Sequence, residues 1–349
     1  MKRPQVAFLR ACGVAVALAT AACGAANAGT PPAMTAPAPV ASTTATPSTD
    51  MAATSAPVST SAPKPPPPID ENAVAAATGA KPESTDGVVK VSFPRTDVPV
   101  EIDGAKLAPF MGLTSWVAFT PGKPGVEAMA MGDLVLFEDE VNPVMSALLD
   151  NGLDVTALHN HFFFSKPAVY FMHVSGEGTV AALGKAVKTA MERIADIRKK
   201  APKPSDRSGA AALPAKSAID GAKLEAVLGV KGQAKDGMYK ATMGRAATAS
   251  CGCRIGKTMG VNTWAAFAGS DDNAVVDGDF AVTENELQPV LKALRAGGID
   301  VVAIHSHMTG ETPRILFLHY WGRGKAANLA GVVKKALDLT DWEGRTKSA

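Results

Sequence analysis

Apolar and polar positions alternate along this chain in two recurring rhythms, one of period two and one near 3.6, and the same order of rhythms is met twice. Val88–Phe93, Trp116–Thr120 and Ala128–Val135 follow the strand period, as do Trp264–Ala268, Ala274–Val282 and Ile315–Trp321. Ile299–His307 is rich in β-formers. Helical spacing governs Leu287, Val290, Leu291 and Leu294, opened by Thr283 with Glu286 three residues on, the pattern of a capping box, and closed at Gly297-Gly298. A closing helix is spaced by Leu329, Val332, Val333 and Leu337, and its earlier counterpart by Val180, Leu183, Val187, Met191 and Ile194. Shorter helices are expected over Glu71–Thr78 and Gly221–Leu228. These elements predict an α+β fold, a tandem duplication of a β-β-α-β-β-α unit with antiparallel sheets and helices on one face.

The duplication is visible residue by residue. Ile69-Asp70 returns as Ile219-Asp220, Asp86-Gly87 as Asp236-Gly237, and Met111-Gly112 with Trp116 as Met259-Gly260 with Trp264. From Asp133 onward the offset is constant at 146, and eleven of the 22 positions in 138–159 are identical in 284–305. The expected organisation is repeat unit one at 69–198, a polar linker at 199–217, and repeat unit two at 218–342. Trp116 and Trp264 are expected in the core.

The amino-terminal part is of another kind. Lys2, Arg3 and Arg10 precede an uncharged apolar run, Ala11–Ala22, too short to span a bilayer and suited to an export signal. Residues 1–28 are read as that signal, ending either at a lipobox, Thr20-Ala21-Ala22-Cys23, with Cys23 lipidated, or after Ala28 in Ala26-Asn27-Ala28. Residues 29–68 are chiefly Ala, Pro, Ser and Thr and form an expected disordered tether, with too few large apolar side chains to offset the entropy of ordering. The expected location is outside the cytoplasm, in the cell envelope, lipid-anchored or periplasmic or secreted. Contact with a membrane is expected only through the lipid. With 35 Lys+Arg against 33 Asp+Glu, the charge gives no reason to expect a nucleic-acid partner.

The chain has six histidines, in two sets with the same spacing: His159, His161 and His173, and His305, His307 and His319. Residues two apart on a strand share a face, and a returning strand brings the third imidazole alongside. Three imidazoles on one face suit Zn, Cu or Fe, leaving positions open to water or a small molecule. Glu311, in the loop of unit two, is a candidate catalytic base or further ligand, whereas unit one has Ser165 there. Phe162–Phe164 are expected beside the unit-one histidines, making that site drier. A metal-free ligand-binding or interaction module stands as an alternative, and a metal-dependent hydrolase or oxygenase as another. Cys251-Gly252-Cys253 reads as a redox or soft-metal pair, a local disulfide, or incidental thiols. There is no Walker loop, Gly-x-Ser-x-Gly elbow or His-Glu-x-x-His.

Met-Gly-Val-Asn-Thr-Trp-Ala-Ala-Phe (259–267), Val-Val-Asp-Gly-Asp-Phe (275–280), Ala-Ile-His-Ser-His-Met (303–308) and Pro-Arg-Ile-Leu-Phe-Leu-His-Tyr-Trp-Gly-Arg-Gly (313–324) resemble the bacterial LppY/LpqO lipoprotein family. The resemblance covers about 69–342 and is stronger in unit two. It implies a duplicated domain and an exported, lipid-anchored protein, and it supplies no catalytic residues.

Overall fold

The computed structural model describes residues 67–205, 209 and 211–345. The expected signal, Cys23 and all but the last two residues of the expected tether lie outside the described residues. Unit one runs α1 (Glu71–Thr78), β1 (Pro82–Thr85), β2 (Val88–Pro94), β3 (Val100–Ile102), β4 (Ala105–Leu107), β5 (Thr114–Pro121), β6 (Ala128–Phe137), α2 (Glu138–Asp150), β7 (Asp154–His159), β8 (Ser165–Lys166), β9 (Val169–Gly178) and α3 (Val180–Lys200). Unit two repeats the order without a counterpart of β8: α4 (Gly221–Leu228), β10 (Gly232–Lys235), β11 (Met238–Gly244), β12 (Ala247–Thr248), β13 (Arg254–Ile255), β14 (Asn262–Gly269), β15 (Ala274–Thr283), α5 (Glu284–Ala296), β16 (Asp300–His305), β17 (Ile315–Gly324) and α6 (Ala326–Leu337). The fold is α+β and antiparallel, as expected. Each unit adds β1 or β10 and a small hairpin to the expected strands, and α3 continues to Lys200, into the expected linker.

The repeated dipeptides have local reasons. Asp70 and Asp220 cap α1 and α4, accepting from the backbone of Asn72 and Ala222. Asp86-Gly87 and Asp236-Gly237 turn the β1–β2 and β10–β11 hairpins with positive φ at both residues (53° and 78°; 52° and 74°), the geometry of a type I′ turn. Glu286 completes the capping box of α5. It also holds Arg245 in two contacts, at 2.5 and 3.1 Å, and receives the Asp341 N–H. Glu140 does the same in unit one, with Arg95 at 2.7 and 2.9 Å. These Arg–Glu forks, buried in unit one and half-buried at Glu286 in unit two, tie each helix start to the strand region before it.

The two units do not form two sheets. They form one sheet of twelve strands, in the order β1-β2-β5-β6-β9-β7-β16-β17-β15-β14-β11-β10, joined where Leu158 of β7 pairs with Ile304 of β16. The order reads the same from either end, so the units are related by a pseudo-twofold at that junction. All six helices pack on one face, over a continuous core that includes Leu136, Val144, Leu148, Leu158, Phe280, Val290, Leu294, Leu318 and Tyr320. The opposite face carries two smaller clusters, one per unit: Val135, Phe137 and Phe171, and Ala281, Ile315 and Phe317.

Both β7 and β16 bulge, at Val155/Ala157 and at Val301/Ala303. Val155 and Val301, the last registered residues before each bulge, take further backbone bonds from the other unit. The Asn142 amide donates to the Val301 carbonyl (3.2 Å) and accepts its N–H (2.8 Å). Gln288, at the equivalent position, donates to the Val155 carbonyl (2.8 Å) and accepts its N–H (3.0 Å).

Candidate metal centre

Alternation along β15 and β17 decides what faces away from the helices. Val276, Phe280 and Val282 point to the helical core, as do Leu318 and Tyr320. Asp277 and Asp279, and His319 and Trp321, therefore share the opposite face. Gly278 between the two aspartates is required, because a Cβ there would lie 2.1 Å from the buried Tyr320 ring. Of the Tyr320-Trp321 pair, only Trp321 shares the face of His319. The register sets Trp264 opposite Asp279 on one side and His319 opposite it on the other. His305 ends β16 opposite Phe317, and the His307 ring stacks on Phe317 with centroids 3.5 Å apart.

The result is a set of one carboxylate and two imidazoles. One ligand atom each from Asp279, His305 and His307 lies within 4.8 Å of the others, and the set could hold a metal ion. His305 Nε2 is 3.1 Å from His307 Nε2, which is 3.6 Å from Asp279 Oδ2. Asp279 Oδ1 and His305 Nδ1 are buried with no hydrogen-bond partner among the described residues. His319 borders this set: its ring stacks on His305 at 4.9 Å, and its Nδ1 is 3.4 Å from the Gly278 carbonyl.

The electrostatics suit a cation. Burial raises the Asp279 carboxyl to about 6; His319 and the Leu318 backbone oppose that shift, and Asp277 adds to it. Burial also lowers His305, with the neighbouring His319 and His307 acting in the same direction. His307 is lowered by burial against a hydrogen bond to the Gly260 backbone. Neutral imidazoles beside a carboxylate present lone pairs and a single negative charge.

Glu311 is buried and does not join the set. Its Oε1 accepts the Ile315 N–H at 2.9 Å, so the carboxylate expected as a base closes its own loop instead. Arg314 reaches Glu284 at 3.7 Å on the surface. Trp116 and Trp264 are not core residues. They lie partly exposed on the open face, beneath Lys90 and Lys240 at 4.4 and 3.9 Å. Cys251 and Cys253 are bonded to each other in the turn between β12 and β13.

In unit one, His159 Nε2 is 3.2 Å from His173 Nε2, and the His161 ring stacks on Phe171 at 3.3 Å. Phe162 packs into the adjoining apolar cluster, but Phe163 and Phe164 are 86% and 78% exposed and do not dry the site. His161 and His307 are both exposed.

The residue missed by reading the histidines alone is Asp279. A signal for it exists in the repeat: Asp133 and Asp279 are equivalent acidic residues in largely apolar strands. A buried carboxylate conserved through an internal duplication asks for a partner.

No curated protein matches the chain. Among solved structures, one titled as the crystal structure of a trimeric bacterial microcompartment shell protein, PduB, aligns over 74% of this chain and 89% of its own, at 11% identity and a TM-score of 0.17, which carries no argument. Residues 72–193 and again 222–339 match the family described as Domain of Unknown Function (DUF1259). These two regions coincide with the two halves of the twelve-stranded sheet, and the chain belongs to the DUF1259 family, with two copies of its domain.

Proposed function

We propose that this is an exported cell-envelope protein that binds a first-row transition ion through Asp279, His305 and His307, with His319 alongside and coordination positions left for a small ligand. Two imidazoles and a carboxylate form a donor set suited to Zn, Fe or Cu. The observation that carries the reading is the convergence of the three donors within 4.8 Å of one another. Binding is preferred to hydrolysis because Glu311, the expected base, is committed to the Ile315 N–H. The envelope location rests on the Ala11–Ala22 run and Cys23, together with the resemblance to the LppY/LpqO lipoproteins. The units 69–198 and 218–342, with 199–217 between them, remain the proposed division of the chain.

The test is metal content and metal-dependent melting of the purified protein. Wild type is expected to retain a transition ion and, once stripped, to gain thermal stability when Zn²⁺, Cu²⁺ or Fe²⁺ is restored. Asp279→Asn, and His305→Ala with His307→Ala, are expected to lose the unit-two ion and its share of that gain. A stripped wild type that melts identically with and without each metal sinks the proposal.

A further inference from the structure

Unit one repeats every position of the unit-two set. Asp133 stands opposite His173 in the register, as Asp279 stands opposite His319. His159 ends β7 as His305 ends β16, and His161 stacks on Phe171 as His307 stacks on Phe317. Asp133 Oδ1 is buried and has no hydrogen-bond partner among the described residues. We propose that Asp133, His159, His161 and His173 form a second site for a divalent first-row cation. The proposal extends the unit-two reading to the repeat and shares its chemistry.

Comparing the units strengthens the case. The first histidine is the hub in both. In unit two its Nε2 approaches the second histidine, at 3.1 Å, and in unit one it approaches the third, at 3.2 Å. Two nitrogens bound to one ion at about 2.0–2.1 Å are held about 3–3.4 Å apart, and both contacts, which are ring N···N hydrogen bonds, fall in that range. Among the described residues three donor atoms already lie within 4.8 Å of one another only in unit two, whereas in unit one His159 and His173 meet and a cation would have to draw Asp133 and His161 in. Unit one lacks Glu311 and Arg314, having Ser165 and Ala168 instead. That loss removes no ligand, because Glu311 is bound to its own loop.

One difference orders the two sites. Asp277 lies two residues from Asp279 on the same face, and its counterpart in unit one is Met131. Unit one therefore has one fewer negative charge near its ion, and its site is the weaker.

The experiment is a titration of metal-stripped full-length protein with Co²⁺, followed by calorimetry and by the visible absorption of bound cobalt. Two ions per chain are expected, the second held more weakly. His159→Ala with His173→Ala removes the weaker ion, and His305→Ala with His307→Ala removes the tighter one. Asp133→Asn, close in shape to the native residue, weakens the second ion at least tenfold, with circular dichroism confirming the fold. Saturation of wild type at one ion, lost only with the unit-two histidines, overturns the second site and leaves the first intact. Unchanged binding of both ions in Asp133→Asn also overturns it. No binding at all removes both readings together.

Discussion

At the scale of single residues, the site depends on a carboxylate placed where it prefers to be protonated. Asp279 is 3% exposed and its carboxyl is raised to about 6. Its folded value lies above its unfolded value, so ionising it opposes folding. That penalty is fully present above about pH 6 and fades as pH falls toward the ordinary carboxylate range. It amounts to about 2–3 kcal/mol by linkage. His305 and His307 are shifted the other way, below 6.5. Their contribution is present above that value and is lost on acidification, as the unfolded chain takes up protons first. Asp279→Asn removes only the carboxylate term. In the presence of a chelator, the variant is expected to be more stable than wild type at pH 7, with the gap narrowing between pH 7 and 5. Urea denaturation at the two pH values checks this, and a constant gap refutes it. Metal binding should weaken as pH falls through 6, because protons compete for Asp279.

At the scale of elements, the junction strands and the amide side chains explain each other. Strands β7 and β16 pair with each other only at Leu158 and Ile304, so the backbone groups of Val155 and Val301 need other partners at the junction. Gln288 and Asn142 supply both missing bonds across the junction. Substituting either by Ala strands a partly buried N–H and a carbonyl, at a cost of about 1–3 kcal/mol. The double variant is expected to lose about twice as much as either single one in urea unfolding. A double variant as stable as wild type would show that water replaces these amides without loss. Reading the sequence places Asn142 and Gln288 on helices, but their partners lie 159 and 133 residues away, across the pseudo-twofold.

At the scale of the whole molecule, the duplication has become a fused pair, with an interface of self-complementary form. Residues 218–345 alone would expose the edge of β16 and the flank of α5 that meets α2. An uncovered edge strand is a template for pairing, and an isologous contact can close on a second copy. Unit two expressed alone is therefore expected to form a twofold dimer by light scattering, reproducing the β7–β16 junction as β16–β16. Gln288→Ala should shift that dimer toward monomer. A unit that stays monomeric at all concentrations argues that the junction depends on differences between the two copies.

The sequence by itself determined the periodicities, the repeat, the capping box at Thr283 and the two sets of three histidines, because each is a short-range pattern along one strand, helix or loop. Tertiary structure alone decided how those pieces met. Asp279 joins the histidines through lateral register with a strand 40 residues further on, which no local period encodes. Glu311 left the site because a backbone N–H four residues away claimed its carboxylate. Trp116 and Trp264 fell on the open face because the helices cover only the other side of the sheet. The two units share one sheet because their edge strands meet at Leu158 and Ile304, a contact between distant segments that only the folded chain brings about.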